Sequence, residues 1–254
     1  MKKKTKIIIS CIVAAVVILG IVIWVILPRA ALSIEAKKYI MPCFESKGEY
    51  FDGYDVRNDS FKRVENENVS LTIPSGFEVF ENEYIPFFYK CNDTGETVYM
   101  HSEPNDAVLD MTDYEPYADD ASEKDFQRMI KAFESFGNGM PDSRFASYKC
   151  TVLLDEEDYC FWDLGKATVF NIVGMGRAYA FSNCKYLYVY ESENVNGIIE
   201  IRENTYDESQ PEYEAIFEAY PVSNLNHSYT LYIDMNSLED IYSVINSVEF
   251  KTEG

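Results

Sequence analysis

The chain has 254 residues, 47% of them hydrophobic and 15% aromatic, with 43 acidic against 22 basic side chains and a formal net charge of −21. That apolar share excludes a disordered chain, the length suits one sizeable domain, and the negative charge excludes nucleic acid and anionic lipid surfaces as partners of the acidic part. Two histidines far apart, His101 and His227, and six cysteines without a CxxC pair exclude zinc ligation at the usual spacings.

In chain order, Lys2, Lys3, Lys4 and Lys6 precede IIISCIVAAVVILGIVIWVIL, Ile7 to Leu27, an uncharged run closed by Pro28 and Arg29. A helix of that length rises roughly 30 Å, the thickness of a hydrocarbon core, and Trp24 sits near one end where an indole suits the interface. The run predicts a single-pass anchor in the plasma membrane over 7–27. The lysines favour a cytoplasmic tail over 1–6 and an extracytoplasmic remainder. The competing reading is a cleaved secretory signal, whose apolar core usually spans only about 7 to 15 residues, with Ala30 and Ala31 as a poor cleavage site. Cys11 comes too early in the run for lipid attachment and reads as a lipid-facing or packing residue. Every acidic residue follows the anchor, which leaves a net charge of −26 after Arg29.

Residues 28–60 have weak periodicity and several charges and read as a juxtamembrane stalk or short helix leading from the membrane to the fold; the globular part is expected over 61–254. There FKRVENENVSLTIPSGFEVF alternates around Val69, Leu71 and Ile73, breaks at Pro74-Ser75-Gly76 and resumes at Phe77 and Val79, which is strand, turn, strand. Further strands are predicted at Phe87 to Lys90, Thr97 to Met100, Ala146 to Leu154, Cys160 to Asp163, Thr168 to Val173 and Ala178 to Phe181. Tyr186 to Tyr190, Ile198 to Arg202 and Tyr229 to Ile233 follow, with Asn196-Gly197 as a hairpin signal. Two capped helices stand out: one opened by Ser122 with Phe126, Met129, Ile130, Phe133 and Phe136 on its inner face, the other opened by Ser237 with Leu238, Ile241, Tyr242, Ile245 and Val248. Pro211 to Tyr220 offers a third helix through Tyr213, Ile216, Phe217 and Tyr220, or a strand.

The opening VSLTIPSGFEVF and the close YTLYIDMNSLEDIYSVINSVEF, with an antiparallel middle between them, resemble the PsbP-like fold of a photosystem extrinsic subunit and a Ran-binding import factor. The resemblance covers roughly residues 61 to 251. It implies an α+β domain, a curved antiparallel sheet flanked by helices in an α/β/α sandwich, and a role in binding partners. It implies no catalytic activity and no cofactor, and it transfers no functional residue to this chain.

The residues themselves suggest little chemistry. Neither histidine has a nucleophile-elbow pattern to partner it. Gly174-Met175-Gly176 lacks the third glycine and the following helix of a phosphate loop and reads as a bend. In the acidic stretch Asp106 to Asp125, the carboxylates Asp110, Asp113, Asp119 and Asp120 are hard ligands suited to Ca²⁺, though not at EF-hand spacing. Tyr186, Tyr188 and Tyr190 share one face of a strand, either as a surface for peptide or glycan or as a half-buried sheet face. A Cys150 to Cys160 disulfide depends on the length of the hairpin loop expected between them. Together these features predict a membrane-anchored binding or assembly module for an envelope protein or glycan. A carboxylate-dependent envelope hydrolase or carbohydrate-binding protein is the alternative, and calcium-dependent adhesion a third reading.

Overall fold

A computed structural model describes residues 13–42, 46–53, 60–103, 143–181, 183–204, 210–223 and 228–251. Its first element is a single apolar helix, α1 (Val13–Ile40), long and apolar enough to cross a membrane. Its 28 residues rise about 42 Å, against roughly 30 Å for a hydrocarbon core, so its last turns extend past any bilayer it crosses. Pro28, expected to close the helix, lies inside it. Proline has no N–H for the preceding turn, and a π turn over Val22–Ile26 absorbs the mismatch: the N–H of Leu27 reaches the carbonyl of Val22. Arg29 Nη1 then donates to the Val25 carbonyl at 2.7 Å, serving an acceptor beside the interruption.

The strands are β1 (Gly48–Tyr50), β2 (Phe61–Glu65), β3 (Val69–Pro74), β4 (Glu78–Val79), β5 (Phe87–Lys90), β6 (Thr97–Glu103), β7 (Tyr186–Glu191), β8 (Val195–Glu203), β9 (Tyr213–Pro221), β10 (Ser228–Met235) and β11 (Glu249–Phe250). Eight of them form a sheet in the order β1-β7-β8-β9-β10-β6-β5-β4, and β11-β3-β2 form a second. Every pairing is antiparallel except β1 with β7, so the large sheet is mixed rather than purely antiparallel. Alternation explains the strands read correctly: in β10, Leu231 and Ile233 are buried while Thr230, Tyr232 and Asp234 face the other side.

The inner face of the large sheet packs against the small one and the helix α4 (Leu238–Asn246). Ile199, Ile201, Phe217, Leu231 and Ile233 meet Leu71 and Ile73 of β3 and Ile241, Val244 and Ile245 of α4. Ser237 caps α4 as expected, accepting from the N–H of Asp240 at 3.2 Å. The Ser122 helix lies outside the described residues.

Four expected strands are corrected. Ala146 to Leu154 falls in a helix, α2 (Arg144–Leu153), capped by Ser143. Thr168 to Val173 and Ala178 to Phe181 belong to one 18-residue helix, α3 (Leu164–Phe181), and Cys160 to Asp163 leads into it. Asp163 opens α3 by accepting from the N–H of Lys166. The third candidate helix, Pro211 to Tyr220, is strand β9. Asn196-Gly197 does not turn: the hairpin closes at Ser192 to Val195, and Gly197 lies in β8 where a Cβ would collide with the Phe217 ring. Gly174 and Gly176 lie within α3 rather than at a bend.

Residues 28–42 and 46–53 supply the end of α1 and strand β1. Ala36 and Ile40 are fully buried and cluster with Phe170 of α3 and Leu154. Ile40 lies over Gly174, where a Cβ would overlap it, and burying such a side chain is worth about 1.5–3 kcal/mol. Asn171 Nδ2 donates to the Leu32 carbonyl at 3.0 Å and to Glu35 at 3.1 Å. The buried Arg177 guanidinium donates to the carbonyls of Thr151, Val152 and Leu154 at the end of α2, and to that of Ser46 ahead of β1. A cation suits the negative end of a helix.

Two glycines two residues apart in α3 test this docking. Gly174→Ala forces a methyl group against Ile40 and is expected to cost about 1–3 kcal/mol. Gly176→Ala meets nothing within 4 Å and is expected to stabilise by about 0.5–1 kcal/mol through helix propensity. Thermal melts of the two variants should therefore shift in opposite directions.

Candidate functional site

Tyr186, Tyr188 and Tyr190 alternate along β7 and point to the inner face, where they are half-buried against the core. The Tyr188 hydroxyl lies 3.0 Å from that of Tyr242, and Phe51 packs edge-on to Tyr188 with centroids 5.4 Å apart. Tyr190 meets Phe217 in the same way at 5.3 Å. Burial and then the Tyr242 hydroxyl raise the Tyr188 pKa. Asp110, Asp113, Asp119, Asp120 and His227 lie outside the described residues. Among the described residues, no group of three or more His, Cys, Asp or Glu side chains is placed to hold a metal ion.

The outer face of the large sheet gathers polar and aromatic groups that are scattered in sequence. Helix α2 covers its β7 and β8 end, where Phe145 and Val152 pack with Phe181 of α3 onto Leu187, Val189 and Ile198. Across the rest, strand register builds transverse rows. Arg202, Glu214, Asp234, Thr97 and Lys90 stand opposite one another on β8, β9, β10, β6 and β5. The next row runs Glu200, Ile216, Tyr232, Tyr99 and Phe88. Tyr99 and Tyr232 stack with centroids 4.8 Å apart and planes 9° from parallel, and Phe88 continues the row at 5.3 Å. Phe80 extends it at 4.9 Å from Phe88, and His101, on β6 rather than beyond it, sits edge-on to both tyrosines.

The charged row opens into a cleft of about 620 Å³ between the end of α3 and the β8–β9 connection, lined by Asn183, Arg202, Asn204, Gln210, Glu214 and Asp234 among others. Burial raises the Asp234 carboxyl; Thr97, donating at 2.6 Å, opposes the shift and the charge of Glu214 adds to it. Burial likewise raises Glu200, against the pull of Arg202, whose Nη2 donates to it at 3.0 Å. Cys184 lies 3.6 Å from the same carboxyl, and burial, followed by the charge of Glu200, pushes its thiol up to about 12. At neutral pH the thiol stays protonated. Cys150 on α2 and Cys160 ahead of α3 are not hairpin neighbours, and no disulfide joins them.

No family model and no curated protein matches the chain.

The cleft residues escape a linear reading because β10 lies beside β6, far away in sequence, and β9 imitates a helix. The signal that does mark them is the second half of each alternation: Glu214, Ile216 and Glu218 in β9, and Thr230, Tyr232 and Asp234 in β10.

A raised carboxyl pKa means that the folded state holds the proton more tightly than the unfolded chain. Its contribution to stability is complete below the unfolded carboxylate range and is lost as pH rises through the folded value. Asp234→Asn removes that loss. The variant is expected to melt above the parent at neutral pH, with the gap closing as pH falls towards about 4. A gap that stays constant, or widens in acid, contradicts the assignment.

Proposed function

We propose that the chain is a membrane-anchored, extracytoplasmic binding or assembly module of a cell envelope, built on a PsbP-like domain held against its own anchor helix. The observation that carries this reading is the outer-face row of stacked rings beside a charged cleft. Aromatic platforms flanked by polar groups suit peptide or glycan partners, with large contact area at low cost in side-chain entropy. The four lysines ahead of the apolar run support the orientation. Retention of the anchor is supported by its tail: a signal removed at Ala30 or Ala31 would break the helix whose later residues Ala36 and Ile40 are buried on α3.

A second reading, an envelope hydrolase acting on glycan, draws on one observation. Glu214 and Asp234 are direct cross-strand partners in the cleft. Opposed residues of this kind have Cβ atoms about 4.5–5.5 Å apart, close enough for their carboxyl groups to act as a pair of the kind glycosidases use.

The test uses the full chain in its native membrane with a photo-crosslinking residue at Lys90 or Glu214 on the outer face, or at Glu239 on the exposed side of α4. A discrete adduct from the outer-face positions alone is expected; equal capture from both faces, or none from either, contradicts the binding reading. Turnover of cell-wall glycan that drops about 10²–10⁴-fold in both Glu214→Gln and Asp234→Asn selects the hydrolase instead.

A further inference from the structure

The loop entering α3 carries Phe161 and Trp162, whose rings meet edge to face at 4.9 Å, and Trp162 is 74% exposed. A lone exposed indole needs no explanation of its own. Its height along α1 does. Helix α3 runs alongside the tail of α1 in the same direction: Asn171 bonds at Leu32 and Glu35, and Gly174 sits under Ile40. Following α3 back from Asn171 to Leu164 descends about 10 Å, which brings its start level with the end of the apolar run near Leu27. A direct contact gives the same height, since Arg29 Nη2 lies 3.5 Å from the Trp162 carbonyl. Arg29 is the first charged residue after the run.

We infer that Trp162, with Phe161 beside it, seats the domain in the headgroup layer of the bilayer that α1 crosses, as a second membrane contact next to the anchor. The inference rests on the reading of α1 as a retained membrane anchor. Indole rings favour that layer because the ring buries apolar surface while its N–H stays hydrated. Trp24, 81% exposed on α1 and three residues inside the end of the run, marks the same interface from within the helix. The partner is a zwitterionic lipid surface, because Asp163 beside the tip and the strongly negative charge of the chain after Arg29 repel anionic headgroups. Two points of contact fix the tilt of the domain, where a helix alone would let it swing.

The chain has two tryptophans, so Trp24→Phe and Trp162→Phe each leave one reporter. The full-length variants are placed in phosphatidylcholine nanodiscs carrying spin labels near the headgroup or deep in the acyl chains, with aqueous iodide as the opposing quencher. The expected result is that Trp162 loses emission to the shallow label more than to the deep one and is spared by iodide. Emission spared by the lipid label and lost to iodide overturns the inference while Trp24 still reports a membrane-embedded helix. Emission spared by both quenchers means that protein covers the indole, which also overturns it. If Trp24 too is untouched by either lipid label, the anchor reading itself fails.

Discussion

The guanidinium of Arg177 is buried among backbone carbonyls, and the half of the molecule nearest α1 is organised around it. A helix ends with carbonyls that have no partner within it, and burying them without donors costs about 1–3 kcal/mol each. Arg177 meets three near the end of α2 and a fourth at Ser46, which fixes the approach of β1 to the sheet edge. Gly48 of β1 passes so close to Val152 that a side chain would not fit. One turn before Arg177, Gly174 leaves the notch that Ile40 fills. One helix therefore binds the second helix, the edge strand and the tail of α1.

This arrangement gives the outer face of the sheet its character. Helix α2, with Phe181 of α3, covers the β7 and β8 end of that face. The rest carries a row of stacked rings and a row of charges whose order follows strand pairing rather than sequence. Acidic groups dominate a domain of strongly negative charge, yet Arg202 sits among them, bonded to Glu200. The cleft is thus bipolar at short range and acidic at long range, which favours cationic or neutral polar partners.

Strands β5, β6, β7 and β10, the middle of β8 and the Ser237-capped α4 were legible from the residues. Helix α3 was not. It touches α1, α2 and the sheet edge, so apolar residues fall on several sides, and Thr168, Val169, Ile172 and Val173 favour strands when read singly. Its one local signal was Asp163 as a cap. Strand β9 misled in the opposite way, because Tyr213, Ile216, Phe217 and Tyr220 satisfy helical spacing while Ala215 and Ala219 are small enough to hide the alternation. The packed role of 28–40 rested on Ala36 and Ile40, two apolar residues in a charged stretch, whose partner was a helix that itself read as strands. The site was least legible of all, since Glu214, Asp234 and Thr97 become neighbours only through the sheet order.

Hydrogen exchange on the full chain in nanodiscs, followed peptide by peptide, tests most directly whether the tail of α1 belongs to the fold. Docked as described, amides of 29–40 exchange as slowly as those of α3 and are released together with them as denaturant is added. Exchange of 29–40 within seconds, while α3 stays protected, would mean a free stalk and would contradict the account.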